Sequence, residues 1–240
     1  MIDFANIIQN HFLFLSVILY VIAFIIFVLR KYTFELFFVV LAFIIHTIYL
    51  GFSGYFGGIY LFLKVAESPA FLPWIMAVIF ILNNLKANDR QVWGYNIVII
   101  IAFTFIAYLT PPSTAYFGPN KQSIWTILFF VTNCFAQGFF FFGAMMALLF
   151  LTKKAESYIF HLLLIWGFVF HTLVHVTGGI WCFLGWATIF HWVYVHFQSA
   201  AEWIYYANYL HLRFLPSWND KHRAIYAIAG SIIILVFKFI

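Results

Sequence analysis

Nine histidines lie in a chain of which only 8% of the residues are charged. An imidazole inside a bilayer is costly unless it ligates a metal or bonds a carbonyl or hydroxyl, so each is a candidate for chemistry. His171 and His175 stand four apart and share one face if their segment is a helix. His46 lies past the middle of a second apolar run, and His211 lies near the end of a third, with His161 at a comparable depth. His191 and His196 belong to WATIFHWVYVHF, Trp186 to Phe197, and their spacing favours hydrogen bonding at a wet interface. His11 and His222 sit at run ends and read as solvated. A zinc site has no third ligand at fixed spacing. Glu67 and Glu202 do not form a carboxylate pair, and no Ser/His/Asp set, phosphate loop or cysteine nucleophile is present, so hydrolysis and phosphoryl transfer have no support and the chain reads as non-catalytic on its own. Cys134 and Cys182 lack metal or redox spacing and read as small apolar side chains.

The elements that position these groups follow from composition. The chain has 240 residues, 66% of them hydrophobic, and the mean hydropathy is +1.02. No soluble domain of this size has so little polar surface, and no long polar stretch leaves room for a second one. The expectation is an all-α, polytopic membrane helix bundle forming a single transmembrane domain over residues 1–240. A span needs roughly 20 apolar residues. About eight transmembrane helices are expected, near 12–30, 33–53, 67–84, 94–111, 124–151, 156–181, 199–213 and 223–240, with an aromatic loop at 182–198. Gly and Pro cluster between runs, at GFSGYFGG and PPSTAYFGPN. Nine of the twelve Lys and Arg fall on one set of connections: Arg30, Lys31, Lys86, Arg90, Lys153, Lys154, Arg213, Lys221 and Arg223. The positive-inside rule puts these in the cytoplasm, so both termini and the aromatic loop are expected outside. The bases lie at the ends of runs and make no patch, so the net charge of +5 implies no nucleic-acid partner. Trp and Tyr favour interfacial depth in any case, which makes an aromatic belt the plain reading of the loop.

The order of motifs then resembles the membrane cytochrome c assembly family, in particular the CcsA-like subunit of the system II cytochrome c synthase and its HemX-like relatives. That family has a small-residue turn ending in Trp, then W-G-x-x-W-x-W-D, then a helix closing on Y-L-H-x-R. Here Trp181 matches the first Trp, Trp186 and Trp192 the ends of the motif's tryptophan set, Trp203 a helix Trp, and Tyr209, Leu210, His211 and Arg213 the closing signature. A second signature lies upstream: His46 on its helix, then Gly58, Glu67, Ser68, Phe71 and Trp74. The departures are specific. Ala187 stands for the motif's Gly, Phe190 for its middle Trp, Val193 for its Asp and Leu61 for a Pro. Trp125 is kept, but Phe129 stands where the family has an outer histidine, and the last outer histidine has no counterpart before Ile240.

The resemblance implies a haem-handling membrane protein. It makes His211 a transmembrane haem ligand, and it makes haem b the expected cofactor. His46, His171 and His175 could add ligands from facing helices, or each could donate to a carbonyl or hydroxyl in the bundle. Trp186, Phe190 and Trp192 would lie against a porphyrin edge, a lipid or a partner helix. The first functional expectation is therefore a divergent assembly protein that binds haem and presents it outside, lacking the synthase's outer ligands. The alternative is a repurposed structural or b-haem-bearing subunit of a larger respiratory or redox complex. A regulator of haem synthesis, as HemX-like relatives are thought to be, ranks last because the cytoplasmic connections are short. Expected partners are other membrane subunits and lipid, in a bacterial inner membrane or an organellar equivalent.

Overall fold

Long apolar runs become helices because lipid offers no partner to an exposed peptide group, and a helix satisfies its own. The computed structural model describes residues 2–55, 61–86, 90–110 and 123–239, and within these every regular element is helical. Gly58, Lys121, Ile240 and the whole PPSTAYFGPN connection lie outside the described residues. The chain divides into two compact units, Met1–Tyr116 and Phe117–Ile240.

The first unit holds α1 (Ile2–Val28), α2 (Tyr32–Tyr55), α3 (Leu61–Glu67), α4 (Phe71–Lys86), α5 (Arg90–Trp93) and, after a 3-10 turn at Gly94–Asn96, α6 (Ile97–Leu109). The second holds α7 (Ile124–Leu151), α8 (Ser157–Trp186), α9 (Tyr194–Leu212) and α10 (Asp220–Phe239). Five helical segments among the described residues are long and apolar enough to cross a membrane, or six if the bent pair α3–α4 counts as one span. The seventh and eighth expected spans overlap α9 and α10, each of which begins a few residues earlier. They are less apolar, because α9 carries Gln198, Glu202 and several Tyr and α10 opens on Asp220, Lys221, His222 and Arg223.

Each unit is built on a hairpin of long antiparallel helices, α1–α2 in the first and α7–α8 in the second. The two turns have the same design. Arg30 (φ 59°) and Lys153 (φ 58°) adopt the left-handed conformation just past a helix end. The Arg30 N–H donates to the Phe27 carbonyl and Lys31 to Ile26; Lys153 donates to Phe150 and Lys154 to Leu149. This is a Schellman closure, which satisfies the last helical carbonyls, and the basic side chains sit at the negative end of the helix dipole. The bases that the sequence assigns to the cytoplasmic face thus also terminate the helices.

In the first unit the expected third span, 67–84, corresponds to α4, and a short helix, α3, precedes it across a sharp bend. α3 and the bulk of α4 meet at 81° across Ser68–Ala70, where the Ala70 N–H donates to Ser68 Oγ (3.3 Å) and the Phe71 N–H to the Ser68 carbonyl (2.9 Å). Trp74 then pins α4 to α2. Its Nε1–H donates to Thr47 Oγ1 (2.8 Å) and its ring stacks on Phe43 at 5.2 Å. The second signature's Ser68, Phe71 and Trp74 are therefore the joint that seats α4 beside His46.

In the second unit α8 runs further than expected. Cys182 to Trp186 complete it and Tyr194 to Gln198 begin α9, so the connection shrinks from 182–198 to 187–193. Nothing before Ala187 breaks the helix: Phe183 and Leu184 continue the apolar run, and the chain first turns where Ala187 takes φ 55°. α9 packs on α8, and α10 packs on α7 and α9. Trp203 ties α9 to α8 by donating to Thr172 Oγ1 (3.2 Å).

α7 and α8 approach closely at Gly167. A Cβ there would meet a Phe140 ring carbon at 2.5 Å. Phe140 cannot retreat, because it is fully buried and stacks on Tyr206 with centroids 3.5 Å apart. Gly167→Ala is expected to destabilise the second unit by about 1–3 kcal/mol through overpacking, read as a lower midpoint in thermal unfolding of the detergent-solubilised protein. An unchanged midpoint would show that the α7–α8 contact gives way.

Candidate functional site

The histidines fall into separate local settings, three in the second unit and one in the first. At the α9 C-terminus the closing signature separates into three roles. Tyr209 is fully buried and its hydroxyl bonds His161 Nδ1. His161 Nε2 in turn bonds Asp220 Oδ1 (3.3 Å). A carboxylate only accepts, so Nε2 carries the proton and Nδ1 accepts from the tyrosine. Asp220 Oδ1 also receives Arg223 Nη1 (3.0 Å), and Arg223 Nη2 donates to the Arg213 carbonyl (3.0 Å). One chain of bonds thus joins α8, α9, α10 and the turn between the last two. Both nitrogens of His161 are engaged, so it is not available to pair with His211. Burial works to raise the Asp220 carboxyl, but hydrogen bonds from Ser157 and His161, with the charge of Arg223, outweigh it and hold its pKa below the usual carboxylate value.

His211 is exposed in the last turn of α9. Its Nδ1–H donates to the Ala207 carbonyl one turn back, at 2.8 Å. That bond fixes the tautomer and leaves the Nε2 lone pair facing outward. A histidine that ligates a metal through one nitrogen typically donates its other N–H to a backbone carbonyl in this way.

His171 and His175 do share a face of α8, with ring centroids 5.6 Å apart. Both turn to the backbone of Ser199 on α9. His171 Nε2 donates to the Ser199 carbonyl at 2.9 Å, and His175 faces the same residue. The remaining nitrogens, His171 Nδ1 and His175 Nε2, are buried and have no hydrogen-bond partner. In the first unit, His46 on α2 is fully buried between the edges of Tyr20 and Tyr49 and faces the Ala70 backbone at the start of α4.

The aromatic connection packs mostly on the protein itself. Phe129, Val174 and Trp181 form a buried cluster, with Trp125, Phe130 and Trp186 against it. Phe129 points its ring at Gly178, where an added Cβ would meet it at 2.9 Å. The small-residue face of α8 is therefore filled by this ring. A Cβ added at Gly179 would meet Ile189 at 3.6 Å, an ordinary contact. His191 stacks on Trp186 with centroids 4.5 Å apart, and His196 is buried with Nε2 3.3 Å from the Cys182 sulfur. Phe190 meets Trp192 edge to face at 4.9 Å. Trp192 and Ile189 point outward, 83% and 79% exposed.

The sequence singled out His211, the His171–His175 pair and the loop tryptophans as candidates, but not what they touch. The Tyr209–His161–Asp220 chain and the role of Ser199 had no local signal, since no spacing rule links residues 48 or 59 positions apart. Cys182 was read as packing only, and its contact with His196 is again a long-range pairing.

The sequence model of the cytochrome C assembly protein family matches residues 62–240. A cytochrome c biogenesis protein CcsA of Cyanidium caldarium is 22% identical over 214 residues, which cover 70% of this chain and 73% of that protein. CcsA of Prochlorococcus marinus strain MIT 9515 is 31% identical over 85 residues, 35% of this chain and 27% of the relative. CcsA of the CCMP1986 strain is 34% identical over 70 residues, 29% of this chain and 22% of the relative. The two Prochlorococcus alignments therefore span about a quarter of those relatives' length.

Two outcomes follow from this geometry. Ala187 is exposed and left-handed, so Ala187→Gly is expected to raise stability by about 1 kcal/mol in thermal unfolding. Asp220 has a folded pKa below its unfolded one, so its contribution is present above the ordinary carboxylate pKa of about 4. It is lost as the pH falls through the depressed value. Asp220→Asn should lower the midpoint at pH 7 and remove part of the acid-induced loss between pH 5 and pH 3, measured as melting midpoint against pH.

Proposed function

The chain belongs to the cytochrome C assembly protein family, and on that premise we propose that this integral membrane protein binds haem as cargo and hands it on during cytochrome c biogenesis. The observation that carries the proposal is His211, whose Nδ1–H is held by the Ala207 carbonyl and whose Nε2 is open at the α9 C-terminus. His171 and His175 supply a second candidate locus, because each turns to the Ser199 backbone and keeps one buried nitrogen without a partner. His46 is a further candidate ligand in the first unit. The iron of a b-type haem would take imidazole nitrogens as axial ligands without any covalent bond to the protein. His46 and His171 are fully buried among aromatic rings, which exclude water from those two positions.

The divergence lies at the aromatic end. Phe129 fills the position of an outer ligand, and Val193 replaces the acid of the motif. Formation of the haem–thiol bond is accordingly assigned to a partner membrane subunit, with this chain contributing ligation and delivery. The distribution of Lys and Arg supports an orientation with the aromatic connection outside and His211 towards the cytoplasm. A second reading, a b-haem-bearing or structural subunit of a larger redox complex, is favoured by Trp192 and Ile189, whose outward rings and chains suit a partner helix.

The test is an oxidised and dithionite-reduced optical spectrum of the purified protein in mild detergent, with a pyridine haemochrome assay. The expected result is a reduced b-type spectrum that His211→Ala lowers at least severalfold while the melting midpoint stays unchanged. Loss on His171→Ala or His175→Ala instead would move the ligand set to the Ser199 locus. A folded, monodisperse preparation with no Soret band, before and after haem addition, would sink the haem reading.

A further inference from the structure

An open cavity of about 440 Å³ lies at the cationic end of the second unit, walled by Ser157, Tyr158, His161, Leu162, Ile165, Arg213, Asp220 and Arg223. Its wall combines two arginines with one carboxylate. Arg223 is committed: it bonds Asp220 and the Arg213 carbonyl. Arg213 is not. Among the described residues its guanidinium makes no hydrogen bond or ion pair, although Arg213 lines the cavity. A guanidinium presents a planar fork of donors suited to a carboxylate or phosphate. Asp220 opposes an anion here, but it already accepts from His161 and Arg223 through Oδ1, and the arginines outnumber it.

The cavity has an apolar exit. Leu162 belongs to its wall, and along α8 the exposed side chains Leu162, Trp166, Val169, Leu173 and Val176 follow at steps of four and three residues. They form one stripe down the helix face. At 1.5 Å per residue the stripe is about 21 Å long, close to the reach of an extended fatty acyl chain. An oxyanion seat that opens onto an apolar track of that length matches an amphiphile with a charged head and a long tail. A flat macrocycle would leave most of the track uncovered.

We propose that this cavity is a binding site for an anionic phospholipid, with Arg213 holding the phosphate and one acyl chain lying along α8 from Leu162 to Val176. The site is separate from the His211 ligand proposed above and does not depend on haem binding. The bound head would bridge the α9–α10 turn to the start of α8, adding to the Tyr209–His161–Asp220–Arg223 chain that already joins these elements.

The experiment is a lipid titration of the full-length protein in mild detergent, read as melting midpoint and by native mass spectrometry. Phosphatidylglycerol should stabilise and remain bound, phosphatidylcholine much less. Arg213→Gln should weaken phosphatidylglycerol by roughly tenfold, the scale of one charge-assisted hydrogen bond. Arg213 is exposed, so this variant should fold, and Lys153→Gln with Lys154→Gln is the control for charge removed elsewhere and should keep wild-type affinity. Trp166→Ser interrupts the track and should lower affinity while leaving the head contact. Equal response to the two lipids, or an Arg213→Gln variant with unchanged affinity, would overturn the proposal. So would displacement of the lipid by inorganic phosphate alone, which would mean a site for the free anion, or one-for-one displacement by haem, which would make the cavity a seat for its carboxylates.

Discussion

A polar group withdrawn from water into an apolar helix bundle must find its partner inside the bundle, and this constraint organises the second unit. Thr132, Thr172 and Thr177 satisfy it locally by donating to carbonyls one turn back. His171 satisfies it across helices, at Ser199. His161 does so twice, from Tyr209 and to Asp220. Lys238 reaches Gln137 Oε1 at 3.3 Å, tying the end of α10 to α7. Each bond is modest in net free energy, but leaving a buried group unmade is expensive, so the set fixes which helices meet and at what depth.

The same constraint separates structural histidines from candidate ligands. A histidine with both nitrogens bonded, such as His161, is a brace. One with a single nitrogen bonded to a carbonyl and the other unpaired is oriented for something further, which describes His211 and His171. The aromatic connection differs from both. Its aromatic side chains find their partners in one another, with Phe129, Trp181 and His196 closing together. Aromatic rings can replace polar groups there because they bring their own apolar partners and few unmet hydrogen bonds.

Much was legible in the residues taken singly. The fifth span read from hydropathy coincides with α7, since Ser123 caps it by accepting from the Trp125 N–H and Thr152 follows its last residue. The bend at Ser68 was legible only as a span boundary: the expected span begins at Glu67, and the short helix α3 before it falls in what reads as a connection. The extension of α8 to Trp186 was missed. Interfacial aromatics read as a loop by composition, whereas their backbone continues as a helix until Ala187.

By itself the sequence determined the class, an all-helical membrane protein, because lipid permits no other use of such long apolar runs. It also marked the helix ends at Arg30 and Lys153 and the residues of the family signatures, since each is set by neighbours within a turn or two. Only the tertiary structure decided which nitrogen of each histidine is free, that Phe129 lies against Gly178, and that Tyr209, His161, Asp220 and Arg223 form one chain. Those facts depend on which helix faces meet, and in a bundle that is apolar all round, the pattern of a single helix does not say which face it turns to its neighbour.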